Sequence, residues 1–166
     1  MTGEPQTPQQ TPQPGPEAPE HLRLRLWVRL LRAVRPIESE LRRRLDKEFG
    51  MTLPKFDVMA ALARREGGMT MTEVSRQLMV SNGNVTGIVD RLVAEGLVAR
   101  VANEDDRRAT FVRLTRKGLK LFEAMAAAHE RWVDEILATF NDERGEAMVD
   151  LLDALRAETR TEGQAP

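Results

Sequence analysis

The stretch from Thr70 to Thr115 constrains this chain most, because it carries four short structural signals in succession with no room for a long loop between them. It reads TMTEVSRQLMVSNGNVTGIVDRLVAEGLVARVANEDDRRATFVRLT. Thr70 and Glu73 make a Thr-x-x-Glu capping box, in which a hydroxyl and a carboxylate satisfy two orphan amides at a helix start. Met71, Val74 and Leu78 follow on an inward face. Met79-Val80-Ser81 forms a turn, with Ser81 as N-cap of a second helix that faces inward through Val85, Ile88, Val89 and Leu92 and closes at Gly96. Two helices of roughly eight and fourteen residues joined by so short a turn are a helix-turn-helix. Leu97 to Val101 and Thr110 to Leu114 then alternate as strands, and the polar loop Ala102 to Arg108 between them makes a hairpin wing.

The outward residues of the second helix are Asn82, Gly83, Asn84, Thr86, Gly87, Asp90 and Arg91. A glycine inside a helix costs about 1 kcal/mol relative to alanine, so two on an exposed face call for a reason. Close approach to a groove wall supplies one. Asn pairs bidentately with adenine in a major groove, and a helix N-terminus favours an anion. At the wing tip, Arg is the side chain that narrow A·T-rich minor grooves attract. The residues expected to face DNA are Thr70, Thr72, Ser81, Asn82, Asn84, Thr86, Gly87, Arg91, Asp106, Arg107 and Arg108.

Around this lobe the chain is helical. Residues 1–20 hold six of the nine prolines and four glutamines, a composition expected to stay disordered, as is the tail 161–166. From His21, Leu26 or Trp27, Leu30, Val34, Ile37, Leu41 and Leu45 recur at spacings of three and four, which predicts a helix about 25 residues long, kinked at Pro36. Its other faces carry Arg23, Arg25, Arg29, Arg32, Arg35 and Arg42 to Arg44, either as a solvated face or, for some of them, to hold an anionic effector or lie near DNA phosphates. Gly50 is a candidate C-cap and Thr52 a candidate N-cap for a helix from Pro54 to Glu66 with a stripe of Phe56, Met59 or Ala60, and Leu62 or Ala63. Thr115 can cap a helix from Lys117 to Phe140, and Met148, Leu151, Leu152 and Leu155 give a last one. These terminal helices carry more apolar surface than a small lobe can cover, which points to burial against a partner.

Composition narrows the function classes. The chain of 166 residues has no cysteine and only His21 and His129, so thiol chemistry is excluded and no metal or other cofactor is expected. No long uncharged apolar run suits a membrane span or signal peptide, and a cytoplasmic location is expected. Net charge of −1 conceals a gradient: residues 21–69 carry twelve bases against six acids, and residues 118–166 carry five against eleven. Local field governs attraction to phosphate, so the acidic final third should face away from DNA. With no Gly-rich phosphate loop or paired acid and base outside the helix-turn-helix, an enzyme is not expected.

The wing DRRATFVRLT, matching D-x-R-x-x-x-V-x-L-T from Asp106 to Thr115 and followed by Gly118, resembles the wing signature of the MarR family of winged-helix transcriptional regulators. TGIVDRLVAEGLVAR, Thr86 to Arg100, is similar to that family's recognition helix and its exit into the wing. The resemblance runs from about His21 to Glu158. It implies a mainly α fold with a small β-hairpin wing: one domain over 21–160, with dimerisation helices at 21–49 and 117–160 and a winged helix-turn-helix lobe at 52–116. It further implies a homodimer on a double-stranded, palindromic operator, usually as a repressor, and a small phenolic or aromatic acid bound between the dimer helices and the DNA-reading lobe. By position, Asp106 would orient Arg108 for the minor groove. Gly87 departs from the pattern, standing where many members carry a longer, often basic side chain. The Arg-rich first helix favours an anionic aromatic effector or its CoA-type thioester, and Trp27, Arg29, Arg32, Phe56 and Met59 are the residues expected to meet it. The reading from another class is a winged-helix protein-interaction module that binds no operator.

Overall fold

In a computed structural model of the chain, residues 21–102 and 110–162 are described. The order is α1 (Leu22–Phe49), α2 (Leu53–Ala63), β1 (Met69–Thr70), α3 (Met71–Leu78), α4 (Asn82–Ala94), β2 (Val98–Ala102), β3 (Thr110–Leu114), α5 (Arg116–Ile136) and α6 (Asp142–Glu162). The expected class, mainly α with a small hairpin wing, is the one found.

Two compact units divide the chain, the first ending at Glu38 and the second beginning at Ser39. The described part of the first is the opening of α1. There Leu22, Leu24, Leu26, Trp27, Leu31 and Val34 remain 38–61% exposed, alternating with arginines. The helix continues on both sides of Pro36. It closes where Gly50 takes φ +60, a conformation that costs glycine little, and where the Gly50 and Met51 amides bond back to Asp46 and Leu45.

In the second unit α2 is the central helix, packing on α3, α4, α5 and β3. Phe56, Val58, Met59, Ala61 and Leu62 are all buried, so α2 buries more than the single stripe that its spacing suggests. Val58, Met59, Leu62, Met69, Val74, Val85, Val89, Leu92, Val98, Val112 and Met125 form the fully buried centre. Truncating a long member such as Met59 or Leu92 to alanine costs about 2–5 kcal/mol.

Several boundaries differ from the sequence expectation. The second helix stops at Ala63, short of Glu66, because the chain must turn back to form β1. Gly68, at φ +84, lies so close to β3 that a Cβ there would meet the Val112 carbonyl oxygen at 2.7 Å. Met69 and Thr70 then pair with Val112 and Phe111, giving an antiparallel sheet in the order β1-β3-β2. The expected helix Lys117 to Phe140 runs instead from Arg116 to Ile136, and the chain turns through residues 137–140. That turn brings Asn141 to the start of α6, where its side-chain carbonyl accepts the Arg144 amide at 3.1 Å. On α6, Met148, Val149, Leu151, Leu152 and Leu155 are 41–68% exposed.

Candidate nucleic-acid interface

Each helix of the helix-turn-helix is fixed at its ends by groups written into the local sequence. At α3 the capping box is complete: the Thr70 hydroxyl accepts the Glu73 amide at 3.2 Å, and the Glu73 carboxylate accepts the Thr70 amide at 2.8 Å. Arg65 adds a 2.9 Å ion pair. The bond from the Thr70 amide, joined by those from its hydroxyl and from Arg65, holds the Glu73 carboxyl below the usual carboxylate range. Thr70 is thus engaged in the cap, while Thr72 is exposed.

The turn to α4 closes through Met79, which adopts φ +54 although it is not glycine. The Met79 amide reaches the Arg76 carbonyl and the Val80 amide the Ser75 carbonyl, at 3.3 and 3.2 Å, a Schellman pattern that satisfies the last carbonyls of α3. Ser75 donates its hydroxyl to the Val80 carbonyl at 2.6 Å, tightening the same turn.

Ser81 occupies the N-cap position of α4 with extended backbone, as expected, but its side chain makes no capping hydrogen bond. The hydroxyl and the orphan amides of the first turn therefore stand together at an exposed helix start. Beyond it, Val85, Val89 and Leu92 are buried and Ile88 is half-buried, while Asn82, Gly83, Asn84, Thr86, Gly87, Asp90 and Arg91 are exposed. The outward set expected from the sequence is therefore the outward set observed. Thr86 donates its hydroxyl to the Asn82 carbonyl at 2.8 Å, so an outside donor can meet only its oxygen lone pairs. Among the described residues nothing lies within 4 Å of a Cβ built on Gly83 or Gly87, so no contact with them requires glycine at either position.

Residues 98–102 pair with residues 114–110, forming the stem of the wing. Asp106, Arg107 and Arg108 lie outside the described residues. Sequence reading missed a link at the base of this stem: Arg100 on β2 donates to Asp90 on α4 at 2.5 Å. Its only sequence signal is a pair of opposite charges ten positions apart on different elements, a spacing no local rule picks out.

A second joint fastens α4 to α5. The Leu97 amide bonds to the Leu92 carbonyl and the Gly96 amide to that of Val93, both at 2.9 Å, with Gly96 at φ +69. Thr115 donates its hydroxyl to the Gly96 carbonyl at 2.8 Å and its amide to the Leu97 carbonyl at 3.0 Å, and its hydroxyl oxygen caps α5 by accepting the Gly118 amide at 3.0 Å. Lys117 reaches the Glu95 carbonyl at 2.9 Å. Gly118 is pressed so close to Leu97 that a Cβ would overlap the Leu97 carbonyl.

The residues singled out for an effector fall in both units. Trp27, Arg29 and Arg32 are exposed on α1. Arg29 and Arg32 line a shallow groove of about 340 Å³ along that helix with His21, Leu24 and Val28. Phe56 and Met59 are core residues, 7% and 0% exposed. The Phe56 ring stacks on His129 at 4.8 Å between centroids and meets Phe122 at 5.8 Å. Burial alone lowers the pKa of His129 from its ordinary value. Among the described residues no group of three or more His, Asp or Glu could hold a metal ion, and no helix is long and apolar enough to cross a membrane.

Comparison with known proteins places this geometry in context. The MarR family model matches residues 49–109, which span α2 to the wing. The transcriptional activatory protein BadR of Rhodopseudomonas palustris is 33% identical over 128 residues, covering 75% of this chain and 73% of that one. The HTH-type transcriptional regulator MhqR of Bacillus subtilis is 28% identical over 129 residues, 78% of this chain and 88% of its own. The crystal structure of a MarR family transcriptional regulator from Silicibacter pomeroyi superposes with a TM-score of 0.70 at 35% identity, covering 86% of this chain and 96% of that one.

Proposed function

This chain is a DNA-binding transcriptional regulator of the MarR family, and on that premise we propose that it works in the cytoplasm as a homodimer on a palindromic operator, as a repressor released by a small anionic aromatic compound or its CoA-type thioester. The observation that carries the reading is the division of α4: Val85, Val89 and Leu92 are buried, while Ser81, Asn82, Asn84, Thr86 and Arg91 face outward around two unobstructed glycines. Such a helix offers hydrogen-bonding groups and a smooth surface to a major groove. The flanking minor groove is assigned to the wing residues Asp106, Arg107 and Arg108 by their place in the sequence alone.

The homodimer is supported by apolar side chains left in solvent on α6 and on the opening of α1. In a two-fold dimer the recognition helices must sit about 34 Å apart to enter successive major grooves, so an effector need only favour another spacing. The exposed Arg29 and Arg32 beside Trp27 support an anionic aromatic effector.

Mapping protected DNA upstream of the chain's own and neighbouring genes tests the operator. A protected palindrome, bound less tightly as salt rises, is expected. Absence of any salt-dependent duplex binding would favour the protein-interaction module instead. Calorimetric titration with aromatic carboxylates tests the effector; binding of neutral ligands only would reject it.

A further inference from the structure

The exposed face of α4 continues into an open groove of about 1030 Å³, whose opposite wall is made by the end of α1 and the start of α2. On the α4 side the wall is bare at Gly83 and Gly87 and ends at Arg91. On the other side stand Arg42, Arg43, Asp46, Thr52 and Lys55, so that with Arg91 the described residues lining the groove hold four cations and one acid, Arg43 and Lys55 being paired with Glu40 and Glu95 outside it. Their positions are set by the chain. Arg43 is held to Glu40 by two bonds of 2.8 and 2.6 Å and still keeps 58% of its side chain exposed. Lys55 is tied to Glu95.

Thr52 adds a different kind of group. It sits at the N-cap of α2 in extended conformation, exposed, and its side chain makes no capping bond. A hydroxyl not used by its own helix can donate outward, although Pro54 has no amide and those of Lys55 and Phe56 bond the Thr52 carbonyl at 3.0 Å, which leaves only the Leu53 amide beside it. Cations distributed over three elements along an open groove suit a chain of negative charges better than one small anion, which needs donors that converge. The groove is also continuous with the helix face assigned to the major groove.

We propose that this groove seats the sugar–phosphate backbone bordering the major groove that α4 enters, with Arg42, Arg43, Lys55 and Arg91 neutralising phosphates and Thr52 donating to one of them. The proposal rests on the DNA-reading role of α4. It adds the end of α1 and the start of α2 to the DNA-binding surface, outside the helix-turn-helix and the wing. Phosphate-binding groups of this kind fix register without reading sequence.

The test uses the full chain and a duplex selected by it from a random-sequence pool, with affinity measured across a salt series and melting curves as the folding control. Arg42→Gln/Arg43→Gln should weaken binding to selected and unrelated duplexes alike and reduce the slope of log affinity against log salt by about 0.9 for each phosphate no longer neutralised. Thr52→Ala should weaken binding with the slope unchanged, since a hydroxyl carries no charge. Asp46→Asn should tighten binding, an effect that damage to the fold does not mimic. If the wild-type chain binds no duplex, the DNA-reading role fails and takes the groove with it. If the wild type binds with a steep slope and the Arg42/Arg43 variant matches it, only the groove assignment is overturned. A variant that binds DNA as wild type but no longer binds benzoate gives the groove to a small anion and overturns the assignment equally.

Discussion

Asp90 and Arg100 join the recognition helix to the first strand of the wing through an ion pair of 2.5 Å. Both side chains are about half exposed, 52% and 43%, and such pairs contribute no more than about 1 kcal/mol to stability. The pair links the helix proposed to enter the major groove to the base of the wing proposed to reach the minor groove. Asp90→Asn should therefore melt close to wild type yet bind its operator more weakly. Equal affinity in a duplex titration would reduce the pair to a surface contact.

Glycine at 83 and 87 carries a prediction of opposite signs. With no neighbour near either added Cβ, Gly83→Ala and Gly87→Ala should each stabilise the free protein by up to about 1 kcal/mol, seen as a higher melting temperature. The same methyl groups should reduce DNA affinity if the helix backbone approaches the groove closely. A stabilised variant with unchanged affinity would show that close approach is not the reason for glycine here.

At the joint between α4 and α5, Gly118→Ala and Thr115→Ala separate overlap from a missing cap. The added Cβ collides with backbone at Leu97, so Gly118→Ala should cost about 1–3 kcal/mol or more. Thr115→Ala removes the bond to the Gly118 amide and should cost about 1 kcal/mol. Denaturant unfolding of the two variants gives the comparison.

Much of this was legible in the sequence, for a physical reason. The Thr70–Glu73 box, the Thr115 cap and the closures at Gly50 and Gly96 depend on residues within one helical turn, so spacing alone reveals them. What remained hidden depends on distant partners. The pairing of Met69 and Thr70 with Val112 and Phe111 spans over forty positions, and it is what stops α2 at Ala63. Burial of Val58 and Ala61 could not be read from periodicity, because a central helix packed on several sides has no single stripe. The outward face of α4 was legible because Val85, Val89 and Leu92 mark its back. The groove beside it was not, since its walls come from three helices.

Acid should loosen the end of α1 in a defined window. Bonds from the Arg43 side chain, then from Arg44, draw the Glu40 carboxyl from its ordinary 4.5 down to about 2. A folded value below the unfolded one means that the stabilisation is fully present above about pH 4.5 and is lost as pH falls through about 2. Glu40→Gln should remove that component, narrowing the difference between melting temperatures at about pH 6 and about pH 3. An unchanged difference would show that the carboxylate contributes nothing measurable.

Arg108→Ala should weaken operator binding by about 1–3 kcal/mol if the side chain reads the minor groove, with the loss greatest on A·T-rich flanks. Asp106→Ala should show a smaller loss of the same pattern. Titration of duplexes that differ only in those flanks is the measurement.

The fastening of Thr115, Lys117 and Gly118 onto residues 95–97 has a mechanical consequence. α5 has 21 residues and extends about 31 Å at 1.5 Å per residue, and its root is fastened to the trailing end of α4, the helix proposed to read DNA. A shaft held so firmly at one end has little slack there. Rotation of the first turn of α5 would therefore be felt directly at the end of α4. A regulator geared in this way can be steered from a point remote from the operator, without any ligand touching a base or a phosphate.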